Sequence, residues 1–458
     1  MTENGSTAVA GLSSEATHPI RTLDPAGPTD DLEWLDDAVG AARVVAIGES
    51  AHYNRESYQL RHRLLRHLVE RHGFGAYAME SGFVEGWRAD GWVRGGAGPA
   101  GPVLAGGLTS LMGLWTQMRA QLEWLREHNR TAAHPVGFYG VDLPGSNASL
   151  VPGVDAVVAY LRRADPGYEP DPAVRETAAA FGAPSAFAAP ATIAAYVGLA
   201  PAVRDAVTAG LAELAARLAG RRLEYVRRTG AEDYARARRS LDLTVTLDTV
   251  ARAMARGDRQ TVMANRDAAI AETVEWILRR HDRVVLAAHN GHLQRVPGSM
   301  PGLPPFPTAG MHLADRLGDG YLIIGTTTGT GQTLNTGADF YGGTLFTELA
   351  APEPGSLDAL MAASGDEPFA TDLRRLPAAD AAAVRAASRQ RFGSYYAELS
   401  PAEAYDVIVH LPRVTAADPD PEAVAASPGD VRAAFGDRPE RSADQASTRR
   451  EEAGGGAK

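Results

Sequence analysis

Ionisable residues stand at or just after the ends of several short apolar runs of this sequence, which favours a shared site. They are Glu49, His52, Glu80, Asp142, His289 and His292. A histidine held by a carboxylate can take a proton from water, and a cationic side chain can stabilise an oxyanion. Taken singly, each residue is also compatible with a helix cap or a solvated turn. Their recurrence at successive runs predicts general acid–base chemistry at one site.

Two other chemistries use the same residue types. The spacings E-x-x-H (49–52) and H-x-x-H (289–292) suit metal ligands, so a zinc or manganese site is an alternative. The stretch GESAH (48–52) also resembles the G-x-S-x-G turn of serine hydrolases, but His52 stands in place of the second glycine. Ser50 is therefore a weak candidate for a nucleophile.

Six apolar runs of strand length position these residues. The runs are RVVAIG (43–48), GAYAME (75–80), PVGFYGVD (135–142), RVVLAAH (283–289), GYLIIGTT (320–327) and YDVIVHL (405–411). Each is apolar on both faces, as expected for a strand that helices cover on both sides. Helical periodicity lies between them at 56–72 and 262–280. We therefore predict an α/β fold with a mainly parallel central sheet flanked by helices, whose strand ends face one cleft.

The chain divides into five segments by composition. Residues 1–17 and 416–458 are rich in small, polar and charged residues, and we predict that they are disordered. Residues 18–150 and 261–415 are predicted to form the two parts of an α/β catalytic core. Residues 151–260 contain no convincing strand, and we expect an inserted helical region that forms one wall of the active-site cleft.

Several charged residues on the two predicted helices are interpreted as surface groups rather than site residues. They are His62, Arg63, Arg66 and His67 on the first helix, and Asp267 and Glu272 on the second. Arg266 can reach the cleft from the second helix, but we leave it outside the predicted catalytic set.

The composition limits the classes of function. The 458-residue chain has a net charge of -11, which argues against nucleic acid or an anionic membrane as a partner. It contains no cysteine, so disulfides, thiolate metal sites and cysteine nucleophiles are excluded. Its only lysine is Lys458, which excludes a lysine base in the body of the protein. Since the N-terminus also lacks the pattern of an export signal, we expect a cytoplasmic enzyme that acts on a small molecule.

Six blocks of the sequence resemble the erythromycin esterase family. In order they are IRTLDP (20–25), VVAIGESAHYNRESYQLRHRLLRHLVERHGFGAYAMES (44–81), FYGVDL (138–143), MANRDAAIAETVEWIL (263–278), VVLAAHNGHLQR (284–295) and GYLIIGTTTGTG (320–331). The resemblance covers about residues 18–413. Members of that family include macrolide-inactivating hydrolases, which open a lactone ring by attack of water. The resemblance implies hydrolysis of an ester or lactone of a natural product such as a macrolide.

The resemblance also implies roles for individual residues. His52 matches the general base that activates water. Glu49 and Glu80 match the acidic residues that orient or polarise the base and the water. Arg61 matches a pocket arginine that clamps an oxyanion or a carboxylate.

Further roles follow from the same resemblance. His289 and His292 match a histidine pair across the cleft, which can stabilise the oxyanion or protonate the leaving alkoxide. Arg55 lies where the family also tends to carry an arginine, and we assign it to substrate binding together with Tyr53 and Asp142. Because family members are described as working without a required metal, we expect no cofactor, and a divalent metal is the less favoured alternative.

The sequence departs from the family beside the predicted base. Ala51 stands where threonine is frequent, and Tyr53 and Asn54 stand where glycine and threonine are common. We therefore expect Tyr53 at the mouth of the pocket and a substrate that can differ from a macrolide. The same site can also abstract a carbon-bound proton, so a dehydratase, cyclase or isomerase of natural-product biosynthesis is the first alternative. A protein that sequesters a drug is the second.

Overall fold

The chain folds around a sheet whose central strands are parallel. The computed structural model describes residues 11–183 and 185–436. Its strands, in chain order, are β1 His18–Pro19, β2 Val44–Glu49, β3 Ala76–Gly82, β4 Gly137–Asp142, β5 Val284–His289, β6 Tyr321–Leu334, β7 Phe346–Leu349, β8 Phe369–Asp372, β9 Arg389–Phe392, β10 Tyr395–Glu398 and β11 Val407–Val414. The main sheet has the order β1-β8-β11-β6-β2-β5-β3-β4, with β7 beside β6, whereas β9 and β10 form a separate pair. All pairings from β11 across to β4 are parallel, which confirms the predicted mainly parallel sheet.

The six predicted apolar runs coincide with β2, β3, β4, β5, β6 and β11. A hydrophobic core lies on each side of the sheet. In β2, Val44 and Ala46 belong to one core, and Val45 and Ile47 belong to the other. This burial on both faces explains why the runs are continuously apolar rather than alternating.

Helices flank the sheet, as predicted for an α/β fold. They are α1 Trp34–Val39, α2 Arg55–His72, α3 Phe83–Val93, α4 Ala100–Gly107, α5 Thr116–Thr131, α6 Val151–Ala164, α7 Pro172–Phe181, α8 Ala189–Gly198, α9 Pro201–Gly220, α10 Arg222–Thr229, α11 Ala231–Ala255, α12 Arg259–Leu278, α13 Asn290–Leu293, α14 Ala309–Leu317, α15 Leu357–Ala362, α16 Ala378–Ala386, α17 Pro401–Ala404, α18 Pro421–Ala425 and α19 Gly429–Gly436. The periodic segments 56–72 and 262–280 correspond to α2 and α12. Helix α2 ends at His72, and Gly73 caps it in a left-handed conformation with φ 66°, which few residues other than glycine adopt.

The described residues between 151 and 260 form the helices α6 to α11 and no strand. The longest of them, α11, packs against α6 and α12, and α12 in turn packs against β4 and β5. This helical region therefore forms an outer layer over one face of the sheet. Within the described part of the chain, no single helix has the length and apolar character needed to cross a bilayer, and only α7 combined with Ala186–Gly198 meets that test, as a pair bent by 78°.

The outer face of α2 is covered, so the predicted solvated face on this helix is wrong. His62, Arg63 and His67 are buried, and Arg66 is half-buried. Arg63 Nη2 donates to Asp31 Oδ1 at 2.7 Å, and His67 Nε2 lies 2.6 Å from Asp36 Oδ1. The N-terminal segment supplies these acidic partners, so the charges on the helix are paired with protein groups rather than solvated.

The predicted disorder of the N-terminus is wrong for residues 11–17. Leu12 N donates to Ser364 Oγ at 2.8 Å, and Ser13 Oγ donates to Asp380 Oδ2 at 2.6 Å. These long-range hydrogen bonds anchor a segment whose composition alone does not predict order. The remaining residues of that prediction, 1–10, lie outside the described residues.

The predicted disorder of the C-terminus is wrong for residues 416–436, which contain α18 and α19. Asp420 accepts from Arg119 Nη2 at 2.8 Å and caps α18 by accepting from Ala423 N at 2.8 Å. An ion pair, a helix cap and the burial of Ala417, Ala423 and Val431 in the core therefore order this segment, whose apolar residues are mostly alanines. Residues 437–458 lie outside the described part of the chain.

Candidate active site

The carboxyl ends of four neighbouring strands open into one cavity of about 360 Å³. The predicted site residues stand at or just after the ends of these strands: Glu49 and His52 for β2, Glu80 for β3, Asp142 for β4, and His289 and His292 for β5. All of them except Glu49 line the cavity. Parallel strands end at the same edge of a sheet, so residues far apart in sequence meet here.

His52 stands in the turn after β2 and is held by Glu49. Its Nδ1 lies 2.6 Å from Glu49 Oε1, and its Nε2 lies 4.0 Å from Glu80 Oε1. Burial would lower the pKa of His52, but the two carboxylates raise it above its usual value. His52 therefore has the arrangement of a general base, with one nitrogen fixed by a carboxylate and the other directed toward a second carboxylate that lines the cavity.

Glu80 is an ionised carboxylate at the centre of the cluster. Its Oε2 accepts from His289 N at 2.7 Å, and its Oε1 accepts from Arg266 Nη2 at 2.9 Å. Burial would raise the pKa of Glu80, but His292, His52 and Arg266 hold it well below its usual value. A carboxylate in this state can accept a hydrogen bond from a water molecule and orient it.

His292 carries a positive charge at neutral pH. Its Nδ1 donates to Asp267 Oδ1 at 2.8 Å, and its Nε2 lies 3.3 Å from Glu80 Oε1. Burial would lower the pKa of His292, but these two carboxylates raise it to about 10. Carboxylates contact both of its nitrogens, so the imidazolium of His292 can act on negative charge at the cavity wall through its positive charge, which the neutral His289 lacks.

His289 is neutral, and the backbone occupies both of its ring nitrogens. Burial and the neighbouring His52 lower its pKa to about 4. Its Nε2 donates to Ser50 O at 3.1 Å, and its Nδ1 accepts from Gly291 N at 3.1 Å. In this arrangement neither nitrogen is free for the predicted contact with an oxyanion or a leaving group. His289 instead connects the turn after β2 to the turn after β5.

Arg266, which we left outside the catalytic set, lines the cavity and joins three of its residues. Its Nη2 donates to Asp142 Oδ2 at 2.7 Å as well as to Glu80, and its Nε donates to Asp142 Oδ1 at 3.0 Å. Its Nη1 lies 3.2 Å from His292 Nε2. Arg266 therefore places a permanent positive charge next to the histidine and carboxylate cluster, and Asp142 holds it there.

Asp267 is fully buried, so its interpretation as a surface group is wrong. It orients His292 through the hydrogen bond to Nδ1. The sequence carries a signal for this burial. Asp267 precedes Ile270, Val274 and Ile277 by three, seven and ten residues, which places it on the apolar face of α12.

Arg61 does not line the cavity, which corrects its predicted contact with an oxyanion or a substrate carboxylate. It is buried, its Nη1 donates to Glu49 Oε2 at 3.2 Å, and its guanidinium lies 4.5 Å from the centre of the Tyr58 ring. Burial would raise the pKa of Glu49, but Arg61 and His52 lower it. Arg61 therefore keeps Glu49 ionised and acts on His52 through it.

The structure places Tyr53 and Arg55 away from the cavity, so neither is positioned for its predicted contact with substrate. Tyr53 has a left-handed φ of 64°, is buried with its ring stacked 5.2 Å from Trp115, and donates its hydroxyl to Ser110 O. Arg55 Nη2 donates to Asp418 Oδ1 at 2.6 Å. The ring of Tyr53 therefore packs in the core, and Arg55 forms an ion pair with the C-terminal segment.

Loops and parts of other helices and strands, rather than the helical region 151–260, complete the walls of the cavity. The other lining residues are Ser50, Ala51, Ser110, Met112, Met263, Gly291, Gly298, Ser299, Met300, Phe306, Leu334, Thr336, Phe392, Gly393 and Tyr395. No described residue of 151–260 is among them, so the predicted wall is not formed by this region. Helix α11 of this region packs against α12, the helix that carries the lining residues Met263 and Arg266.

The donor geometry of the cavity does not fit a metal ion. Glu49 does not line the cavity, and Arg266 places a cation 3.2 Å from His292 Nε2. Among the described residues, the cavity does not bring three ligand atoms of histidine or carboxylate side chains together. The spacings E-x-x-H and H-x-x-H here produce a hydrogen-bonded acid–base network.

Comparison with known proteins identifies the family of this chain. The family model described as erythromycin esterase matches residues 69–414. Erythromycin esterase type II of Escherichia coli is 27% identical over 325 residues, which cover 69% of this chain and 76% of that protein. Erythromycin esterase type I of the same organism is 24% identical over 299 residues, which cover 63% and 71% of the two chains.

Solved structures share the fold. A mutant of the erythromycin esterase EreC in its open conformation matches with a TM-score of 0.72 at 22% identity, over 88% of this chain and 98% of that chain. A Bacillus cereus protein matches with a TM-score of 0.74 at 19% identity, over 89% and 97% of the two chains. The family match spans most of the sequence and includes the ends of β3, β4 and β5, whereas Glu49 and His52 precede its first residue. This chain therefore belongs to the erythromycin esterase family.

Proposed function

We propose that this protein hydrolyses an ester or lactone of a natural product, such as a macrolide, with His52 as the general base. Membership of the erythromycin esterase family supports a hydrolase. The observation that carries the finer proposal is the 2.6 Å contact between His52 Nδ1 and Glu49 Oε1, which leaves Nε2 for a water molecule. The raised pKa of His52 strengthens it as a base.

The proposed reaction begins with a water molecule between His52 and Glu80. Their Nε2 and Oε1 atoms are 4.0 Å apart, a gap that one water can bridge with a hydrogen bond to each. His52 takes a proton from this water as its oxygen attacks the carbonyl carbon. The resulting imidazolium returns the proton to the leaving alkoxide as the ester bond breaks.

Two positive groups support the negative charge that develops on the carbonyl oxygen. Arg266 and the imidazolium of His292 both line the cavity, and Asp142 and Asp267 respectively hold them in place. Charged donors that are fixed before the reaction stabilise an oxyanion without a reorganisation cost. In this proposal Arg266 takes the part first assigned to Arg61.

No step of this proposal requires a metal or another cofactor. Treatment with EDTA is expected to leave kcat unchanged, because Arg266 and His292 supply the positive charge. A loss of kcat that zinc or manganese restores would contradict this part of the proposal. We also place the reaction in the cytoplasm, on the basis of the cysteine-free sequence, with a small-molecule substrate and neither nucleic acid nor membrane as a partner.

Turnover in oxygen-18 water tests the reaction type. The substrates are erythromycin and a panel of natural-product lactones and esters. Hydrolysis is expected to place one labelled oxygen in the product carboxylate, and His52→Gln is the variant expected not to do so. An isomeric or dehydrated product without label would overturn hydrolysis in favour of a tailoring enzyme. Stoichiometric binding without any product would favour a sequestering protein.

A further inference from the structure

Two histidines and an aspartate form a cluster that the proposed reaction does not use. Asp36 belongs to α1, and His67 and His72 belong to the last turns of α2. An α-helix rises about 1.5 Å per residue, so His67 lies about 18 Å along the axis from Arg55, where α2 begins beside the active site. Among the described residues, this is the one group in which three metal-ligating side chains converge.

The three ligand atoms of the cluster lie close together. Nε2 of His67 and Nε2 of His72 are 2.6 and 2.7 Å from the same oxygen, Oδ1 of Asp36. Nδ1 of His67 is buried and makes no hydrogen bond, so the ring is held through Nε2 alone. The side chain of His67 is 1% exposed, whereas those of His72 and Asp36 are 17% and 29% exposed. The cluster is therefore anchored on one side and open to water on the other.

We propose that Asp36, His67 and His72 bind a divalent first-row transition metal, with zinc as the preferred ion. Two imidazole nitrogens and one carboxylate oxygen are zinc ligands, and the open side has room for water as the fourth ligand. Magnesium and calcium prefer all-oxygen sites, so this donor set does not suit them. The site would join α1 to α2 and stabilise the fold without contact with the catalytic cavity.

Metal binding requires a small rearrangement. Tetrahedral coordination at about 2.0 Å separates neighbouring ligand atoms by about 3.3 Å, so Asp36 Oδ1 must withdraw by about 0.6 Å from each histidine. The partial exposure of Asp36 leaves space for this movement. Both histidines then carry their hydrogen on Nδ1 instead of Nε2, so the metal replaces two hydrogen bonds to the carboxylate.

A group beside the cluster supports this chemistry. Arg71 Nη2 donates to Asp36 Oδ2 at 2.9 Å, which leaves Oδ1 directed at the two histidines. Partners of this kind commonly orient the ligands of metal sites.

The test uses the full-length protein after EDTA has removed any bound metal. Zinc chloride is titrated into this protein, and calorimetry records the binding. We expect one zinc ion bound per chain and a rise in Tm with zinc concentration, because a ligand that binds only the folded state stabilises it. Cobalt(II) is the spectroscopic probe, and its visible bands report imidazole coordination. His72→Gln, at the end of α2, is expected to weaken zinc binding by at least about tenfold and to abolish the rise in Tm.

Controls make the assignment specific. His134→Gln alters an exposed histidine outside the cluster and is expected to bind zinc like the unaltered protein. Asp36→Asn removes a second ligand and replaces His72→Gln if that variant misfolds. A zinc affinity that is unchanged by the removal of either ligand, or no stoichiometric binding at all, would overturn the proposal. Binding that is lost in His52→Gln but kept in His72→Gln would place the ion in the catalytic cavity and would overturn it as well.

Discussion

Replacement of Glu80 by glutamine tests how the neighbouring carboxylates set the base strength of His52. Oε1 of Glu80 lies 4.0 Å from Nε2 of His52, and the charge of Glu80 raises the pKa of that histidine. Glutamine removes the charge and keeps the size of the side chain. We therefore expect the pKa of His52 to fall and the acid limb of the kcat/KM profile to move to lower pH, because the neutral base then persists at lower pH.

The size of this change follows from the distance. Two unit charges 4 Å apart interact by about 4 kcal/mol at an effective dielectric constant of 20 and by about 1 kcal/mol at that of water. At about 1.36 kcal/mol per pH unit, these energies correspond to a fall in the pKa of His52 of between about 0.7 and 3 pH units. Arg266 and His292 lie 2.9 and 3.3 Å from the same oxygen and share its charge, so we expect a fall of about one pH unit.

The assay is an NMR titration of the histidine Cε1–H signals, compared with the pH profile of kcat/KM. The signal that is missing in His52→Gln identifies His52. Asp142→Asn is the matched control, because it also removes a charge that pairs with Arg266 but is not one of the main charges that shift the pKa of His52. An unchanged or higher pKa of His52 in Glu80→Gln would refute the reasoning.

Three further variants test the network around the base. Asp267→Asn removes a negative charge that helps to raise the pKa of His292 to about 10. The alkaline limb of the kcat/KM profile, where the imidazolium loses its proton, is therefore expected at lower pH than in the unaltered enzyme. An alkaline limb at the same pH would count against the role of His292. Arg61→Met removes the buried positive charge that pairs with Glu49 and leaves this carboxylate with His52, so denaturant unfolding is expected to show a loss of about 3–5 kcal/mol, and kcat is expected to fall at constant KM. A change in KM alone would instead support the substrate contact first predicted for Arg61. Tyr53→Phe removes one hydrogen bond and is expected to cost about 0.5–1.5 kcal/mol of unfolding free energy without a change in KM. A raised KM would show that the hydroxyl meets the substrate.

The strands and the edge of the sheet that carries the site were predictable from the sequence. Each central strand is buried on both faces, so it reads as a continuous apolar run, and parallel strands end at one common edge. This is why His52, Glu80, Asp142 and His292 could be expected together before their contacts were known.

The inward-facing residues of the helices were harder to predict. Arg266 and Asp267 are adjacent charges on a long helix, a pattern that is usual on helix surfaces. Their burial depends on how α12 is rotated against β4 and β5. The spacing of Asp267 from Ile270 and Val274 was the available signal, since it places a charge on an apolar face.

The direction of the side chains after β2 could not be read from spacing. Tyr53, Arg55 and Arg61 lie within nine residues of His52, yet none of them lines the cavity. Their partners are Ser110 and Asp418, far along the chain, and Glu49. Long-range packing of the turn and of the C-terminal segment determines these contacts, and local sequence does not reveal it.

The most direct test of the central claim is kcat/KM of His52→Gln on a substrate that the unaltered enzyme hydrolyses. General-base catalysis by one side chain contributes about 10²–10⁴-fold, so we expect a loss of this size with Tm and circular dichroism retained. A folded His52→Gln variant with full activity would contradict the assignment of His52 as the base.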